Sequence, residues 1–239
     1  MKQFIVLAAS LIAIFPLMSV ARVSAHREKN ESFQAAKIRT KGSVLFEGQE
    51  ENLWGKDPES QAKALKSMNI KDIPDVGSYP DLENQFKFVR DTRFLQTDDP
   101  NFPRRLTWLY PDDGCFARAE LAAENLIKNH FPSPKKVFAF GELSVDTKNS
   151  PAGSVHWWYH VAVIYRVGSQ PYVLDPAINP KQPMKISEWD AAIGGTHTKV
   201  NYAICSKDTF DPDQECLNPS PMSEATAESE QRNYLPDEW

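Results

Sequence analysis

The chain has 239 residues, with 27 basic and 32 acidic side chains and a formal net charge of −5. This length suits one ordinary domain with appendages. The acidic balance argues against nucleic acid as a partner, because phosphate binding requires a basic surface. The sequence also has no glycine-rich phosphate-binding loop, and we expect no cofactor.

Residues 1–25 have the pattern of a secretory signal peptide. Lys2 precedes an apolar run over residues 4–20, and Val23-Ser24-Ala25 has the small-residue form of a cleavage site. A membrane anchor is the alternative, but Pro16 interrupts the run and no basic stop-transfer cluster follows it directly. No other segment approaches the ~20 apolar residues of a spanning helix. We therefore expect cleavage near Ala25 and a secreted or periplasmic protein without stable membrane insertion.

Residues 26–69 are polar and too poor in apolar side chains to form a core of their own. A short helix over Pro58–Lys66 is expected, with Asp57 as its cap. The segment is either a flexible arm or a pro-segment that shields a site until it is removed.

Residues 70–205 have the alternation expected of a folded domain. Helices are predicted over 81–90, 115–129 and 187–192, the second with the 3–4 apolar spacing of an amphipathic helix. Strands rich in Val, Tyr, Phe and Trp are predicted over 136–143, 155–167, 172–174 and 199–205, with a shorter extended run over 104–110. A helix followed by an antiparallel meander predicts an α+β fold.

Residues 206–239 carry nine acidic and two basic side chains, are broken by four prolines and contain few apolar residues. This composition predicts a solvated, disordered tail. Cys205 and Cys216 lie close together and can close a short disulfide loop in an oxidising compartment. Cys115 is then the unpaired cysteine, used as a reactive thiol or buried as a small hydrophobic residue.

Three residue types that together support nucleophilic catalysis occur in order along the domain. Cys115 begins the predicted 115–129 helix, where free backbone amides and the helix dipole stabilise a thiolate and a developing oxyanion. His160 lies in the strongest strand, and Asp175 follows the next one. A thiol, a base and a group that orients the base form a catalytic triad for acyl transfer on an amide.

The hairpin between these two strands must bring His160 and Asp175 together. A turn centred near Ser169 would place Asp175 opposite about Val163, so that a bulge or a longer reach is required. The neighbouring aromatic residues Trp157, Trp158 and Tyr159 either wall a substrate cleft or pack in the core.

A metal site is the alternative for His156 and His160. In a strand these residues lie roughly 13 Å apart at ~3.3 Å per residue, too far to share one ion. No Cys-x-x-Cys or His/Glu cluster adds further ligands, and we expect no metal.

Five sequence blocks, in order, resemble the bacterial protein glutaminases, which are protein-glutamine deamidases. They are Ile73-Pro74-Asp75-Val76, Tyr110-Pro111-Asp112-Asp113-Gly114-Cys115-Phe116-Ala117-Arg118-Ala119, Phe140-Gly141-Glu142-Leu143, Trp158-Tyr159-His160-Val161-Ala162 and Leu174-Asp175-Pro176-Ala177. The resemblance covers roughly residues 73–205. It implies a papain- or transglutaminase-like fold, export as a proenzyme and the triad Cys115, His160 and Asp175. The implied partners are glutamine-containing proteins or peptides, and we expect a monomer.

Other functions are compatible with the same residues. The thioester intermediate could be captured by lysine, as in a transglutaminase, or the triad could cleave peptide or peptidoglycan amides. A non-catalytic exported binding protein with an incidental thiol is the third alternative.

Overall fold

The computed structural model describes residues 23–42, 55–96 and 103–235, so that most of the predicted signal peptide lies outside the described residues. The helices are α1 (Phe33–Gly42), α2 (Pro58–Gln61), α3 (Tyr79–Asp91), α4 (Cys115–Lys128), α5 (Ile186–Ala192) and α6 (Glu224–Arg232). The strands are β1 (Lys63–Ala64), β2 (Arg93–Gln96), β3 (Pro103–Arg105), β4 (Lys135–Asp146), β5 (Ser154–Val167), β6 (Gln170–Leu174), β7 (Met184–Lys185) and β8 (Asn201–Cys205). Short 3₁₀ turns cover Leu65–Ser67 and Ile70–Asp72.

Six of these strands form one sheet in the order β1-β8-β4-β5-β6-β7, and every neighbouring pair is antiparallel. Strands β2 and β3 form a separate hairpin. Helix α4 packs against the sheet at β5. The predicted α+β class is confirmed, and the long central strands β4 and β5 form the platform for the residues described below.

Helix α4 forms where the sequence predicts it. Its apolar residues recur at 3–4 spacing, and Ala119, Ala122, Ala123 and Leu126 are all buried. Eleven of its fourteen residues are buried, which makes α4 the central helix of the molecule. The first of these buried residues is Cys115.

The β4–β5 pairing contains a bulge close to the predicted site. Phe140 pairs with Tyr159 and Leu143 with Trp157, so that Gly141 and Glu142 of β4 together face Trp158. A Cβ atom at Gly141 would lie 2.8 Å from the Lys199 carbonyl oxygen, which explains the glycine there. The bulge bends the sheet where β5 carries its three adjacent aromatic residues.

The segment before residue 70 is joined to the domain. Helix α2 begins at Pro58 with Asp57 as its cap, as predicted, but it ends at Gln61 and is followed by β1. Strand β1 pairs with β8 and extends the sheet ahead of the predicted domain start at residue 70. This two-residue strand is held by backbone hydrogen bonds, which leave no apolar pattern in the sequence.

The acidic tail differs from the expected disordered extension. Its described part, residues 206–235, includes α6, which packs on α4. Ala227 and Gln231 of α6 are fully buried. The composition is misleading here because α6 docks through one small side chain and a set of polar contacts and needs few apolar residues.

Cys205, at the end of β8, forms a disulfide with Cys216, which leaves Cys115 free, as the sequence predicts. The free Cys115 is buried. The disulfide ties residues 206–216 to the sheet, and Cys216 N also donates to the Lys56 carbonyl oxygen at 2.8 Å. No helix among the described residues is both long enough and apolar enough to cross a membrane.

Candidate active site

Cys115 lies at the amino end of α4, immediately after a turn that a buried arginine holds in place. Gly114 precedes it in the left-handed conformation, with φ of 77°, where glycine is favoured. Arg118, one turn into α4, donates from Nη1 to the carbonyl oxygens of Tyr110 at 2.9 Å and Asp113 at 2.6 Å. Arg118 is almost fully buried, so these bonds fix the loop that presents Cys115 to the sheet.

His160 and Asp175 are joined directly. Nε2 of His160 lies 2.8 Å from Oδ2 of Asp175, and both side chains are buried. The hairpin register places Leu174 opposite Val163, so that Asp175 follows opposite Ala162, one residue from the expected position. His160 lies two residues before Ala162 on the same face of β5, so it is the diagonal neighbour of Asp175. The bond therefore forms by a diagonal reach, which is one of the two alternatives expected from the sequence; the other was a bulge.

Two tryptophans stack on the imidazole of His160. The ring of Trp157 lies 4.6 Å from it, centroid to centroid, and the ring of Trp189 lies 5.7 Å away. Trp189 Nε1 also donates to Asp175 Oδ2 at 2.9 Å. Trp157 Nε1 donates to the carbonyl oxygens of Pro111 and Asp112, at 3.1 and 2.9 Å, and so links β5 to the loop before Cys115.

The charge of the pair follows from these contacts. Burial alone lowers the pKa of His160, but the Asp175 carboxylate, its hydrogen bond and the nearby Cys115 thiol together raise this pKa to about 9. Burial acts to raise the pKa of Asp175, but the charge of His160 and hydrogen bonds from His160 and Trp189 hold it below its usual value. The geometry therefore favours an imidazolium next to a carboxylate.

The second ring nitrogen of His160 is the one available to Cys115. Nδ1 is buried and makes no directed hydrogen bond among residues 23–42, 55–96 and 103–235. The Cys115 thiol nonetheless acts on the His160 ring strongly enough to help raise its pKa. An imidazole whose Nε2 is hydrogen-bonded to a carboxylate and whose Nδ1 has no such bond can use Nδ1 to transfer a proton to and from a thiol.

The structure thus joins the predicted His160 and Asp175, and Cys115 lies near enough to the His160 ring to influence its pKa. The three predicted cleft residues have different environments, although each is fully buried. Trp157 stacks on His160, whereas Trp158 and Tyr159 donate hydrogen bonds to the backbone of residues 23 and 24. The described part of the chain has no group of three or more His, Cys, Asp or Glu side chains placed to hold a metal ion.

Sequence reasoning missed several residues around the triad. Trp189 lies in α5, whose start at Ile186 is one residue earlier than predicted, and no pattern in the sequence connects it to Asp175. Asp113 and Arg118 belong to the sequence block around Cys115, but that block does not predict their hydrogen bonds. A signal for the arginine was its place one residue before Ala119 and four before Ala122, at the edge of the apolar stripe, since a charged residue buried there requires a partner.

A family model described as glutaminase matches residues 82–193, just under half of the chain. This range contains Cys115, His160 and Asp175, and the match confirms the resemblance that the sequence blocks predict. A search of the curated proteins returns no match.

Solved structures similar to this chain are protein-glutaminases. A crystal structure of a pro-protein-glutaminase has 25% sequence identity and a TM-score of 0.47, over 62% of this chain and 53% of that chain. A crystal structure of protein-glutaminase has 27% identity and a TM-score of 0.44, over 58% of this chain and 75% of that one. The NMR structure of protein-glutaminase from Chryseobacterium proteolyticum has 25% identity and a TM-score of 0.45, with the same coverages. The chain therefore spans about half the length of the pro-protein-glutaminase it matches.

Proposed function

We propose that this protein, whose residues 82–193 match the glutaminase family, deamidates glutamine side chains in proteins or peptides to glutamate and ammonia. The observation that carries the proposal is the buried Cys115, His160 and Asp175 constellation at the start of α4, inside the matched range. Cys115 is the nucleophile, His160 the general acid and base, and Asp175 the group that orients the imidazole.

The reaction proceeds in two steps on these residues. The Cys115 thiolate attacks the carboxamide carbon, and backbone amides at the start of α4 stabilise the oxyanion. The carbon–nitrogen bond breaks, and the His160 imidazolium gives its proton to the departing ammonia. His160 then takes a proton from water, whose oxygen attacks the thioester and releases glutamate and Cys115. Asp175 holds Nε2 throughout, so that Nδ1 faces the reacting atoms.

The burial of the His160–Asp175 pair away from water supports the proposal. Two tryptophan rings stack on the imidazole, and His160 and Asp175 are almost fully buried, so water cannot solvate the charged pair freely. The mechanism needs neither a metal nor a cofactor.

Export in a precursor form is part of the proposal. Its support is the signal-peptide pattern of residues 1–25 and the polar composition of residues 26–69, the candidate pro-segment. Chains beginning at His26 and at Ile70 are to be compared on one glutamine substrate. A higher rate for the shorter chain supports a pro-segment, and equal rates mean that residues 26–69 are only an arm.

The test of the activity is incubation of the chain from His26 with a glutamine-rich protein, alongside Cys115→Ala. We expect ammonia release and amide-to-acid mass changes at glutamines, and neither with the variant. Cross-linked products in the presence of an amine would instead identify a transglutaminase. New amino termini would identify a peptidase, and wild-type ammonia release by Cys115→Ala would reject the enzyme assignment.

A further inference from the structure

Residues 23–27 lie extended beside the half of β5 that β6 leaves unpaired. Strand β6 pairs only with Val163–Val167 of β5. Beyond that point, His26 forms an antiparallel bridge with Trp157, Trp158 N donates to the Ala25 carbonyl oxygen at 3.1 Å, and Arg27 N donates to the His156 carbonyl oxygen at 2.7 Å. The segment acts as an added edge strand at the part of the sheet that carries His160.

Side chains of the site also bind this segment, mainly through its backbone. Tyr159 donates from its hydroxyl to the Val23 carbonyl oxygen, and Trp158 Nε1 donates to the Ser24 carbonyl oxygen, both at 2.8 Å. The Asp113 carboxylate accepts from Ala25 N at 3.2 Å and from the Ser24 hydroxyl. We call the space that Val23–Ala25 fills between Asp113, Trp158 and Tyr159 the β5 slot.

The β5 slot adjoins the reacting groups. Asp113 precedes Cys115 by two residues, and Tyr159 precedes His160 by one. The Cys115 side chain is also close enough to Tyr159 to contribute to the raised pKa of the phenol, which burial mainly causes. Val23 and Ala25 are buried in the β5 slot. A chain lying there contacts both the loop that leads into Cys115 and the strand that carries His160.

The occupant of the β5 slot coincides with the predicted signal-peptidase site. Cleavage after Ala25 breaks the bond between Ala25 and His26, so that Val23–Ala25 leave with the signal peptide. The Tyr159 hydroxyl, Trp158 Nε1 and Trp158 N would then lose these acceptors, while Asp113 would lose the Ser24 and Ala25 donors and keep Gly114 N. The uncovered groups match the donors and acceptors of an extended backbone, so the emptied slot can take up another peptide by strand addition.

We propose that the β5 slot binds an extended segment of the protein substrate next to its target glutamine, and that Val23–Ala25 occupy this site in the precursor. The inference rests on the proposed deamidase function and specifies its substrate class: an extended polypeptide, recognised through its backbone, with small side chains facing Asp113. Signal-peptide cleavage then exposes the site as the protein is exported.

A binding experiment tests the β5 slot without turnover. The protein is the chain from His26 with Cys115→Ala, and the probe is a fluorescent peptide with the sequence of residues 20–25, followed by anisotropy. We expect saturable binding, and an affinity about three- to tenfold lower with Tyr159→Phe, which lacks one hydrogen-bond donor. Tyr165→Phe is the matched control, because its hydroxyl donates to the Pro132 carbonyl oxygen, and affinity is expected to be unchanged.

A second probe keeps the test informative if Tyr159→Phe folds poorly. A peptide methylated on the nitrogen of its last alanine cannot donate to Asp113, and we expect weaker binding than for the unmethylated peptide. Equal affinity for the two peptides, or no saturable binding of either, would overturn the proposal. If the enzyme releases ammonia but the peptides do not bind as expected, only the proposal about the β5 slot is rejected. If the peptide binds but no ammonia is released, only the proposed deamidase function is rejected.

Discussion

His160 and Asp175 meet through one carboxylate oxygen that serves two aromatic donors. Oδ2 of Asp175 is 2.8 Å from Nε2 of His160 and 2.9 Å from Nε1 of Trp189. The bond from Trp189 fixes the position of the carboxylate, and the bond to the carboxylate fixes the imidazole of His160. Asp175 therefore positions His160 as well as stabilising its positive charge.

The first prediction concerns turnover by triad variants. Cys115→Ala is expected to abolish ammonia release while leaving the fold intact, because the smaller side chain fits the same buried site. His160→Ala should be similarly severe, since the thiol loses its base. Asp175→Asn should cost less if orientation is its main role. Circular dichroism checks folding for each variant, and measurable wild-type rates for either Cys115→Ala or His160→Ala would reject the triad.

The pH dependence of activity follows from the raised pKa of His160. The imidazolium must protonate the departing ammonia, so kcat/KM is expected to fall as pH rises through about 9. Removing the Asp175 charge lowers the His160 pKa, so Asp175→Asn should move this fall to lower pH. The measurement is kcat/KM between pH 6 and 10 for the wild type and for Asp175→Asn. If the fall at high pH occurs at the same pH in both proteins, a group other than His160 causes it.

Protein stability should change over the same range of pH. The folded protein holds the His160 proton more tightly than the unfolded chain, whose histidines titrate near a pKa of about 6.5. This contribution is complete below pH ~6.5 and is lost as pH rises through about 9. Urea unfolding of the wild type and of His160→Gln at several pH values is the measurement. The difference between their free energies of unfolding should shrink towards high pH, and a constant difference would contradict it.

The approach of Cys115, His160 and Asp175 could be anticipated from sequence because two of these residues lie on strongly patterned elements. Helix α4 and strand β5 have clear apolar periodicity, and Cys115 and His160 lie at definite positions on them. The position of Asp175 required only the hairpin register, and an error of one residue there still left it near His160. Local patterns thus sufficed for the positions of these three residues and for the α+β class.

The contacts around the triad could not be predicted in the same way. Trp189, residues 23–27 and α6 reach the site from distant parts of the chain, and their bonds are mostly to backbone atoms. A backbone acceptor is present at every residue, so its partner leaves no signature in the sequence. The composition of the tail predicted a solvated, disordered segment, whereas α6 is a helix packed on α4.

The disulfide gives a prediction about stability. Cys205 and Cys216 are separated by 11 residues, and closing a loop of this size stabilises a fold by about 2–3 kcal/mol in the chain-entropy model. The double variant Cys205→Ser and Cys216→Ser should lose roughly this free energy of unfolding. Thiol counting on the denatured, unreduced protein should find only Cys115. Detecting three thiols would show that the bond does not form.

The last prediction concerns the glutamine that docks α6. Gln231 is fully buried, and its Oε1 accepts from Thr107 Oγ1 at 2.7 Å and Thr107 N at 3.3 Å, while its Nε2 donates to the Gly114 carbonyl oxygen at 3.3 Å. Gly114 sets the conformation from which Cys115 begins α4.

Gln231→Ala leaves the Thr107 donors unpaired in the interior, so we expect a loss of about 1–3 kcal/mol in the free energy of unfolding. Because Gly114 also loses a contact, kcat should fall as well, with KM less affected. Ser229→Ala, an exposed change on the same helix, is the matched control and should alter neither quantity. Urea unfolding and ammonia-release kinetics are to be measured on both variants. If Gln231→Ala is as stable as Ser229→Ala, the contacts of Gln231 do not contribute to the free energy of unfolding.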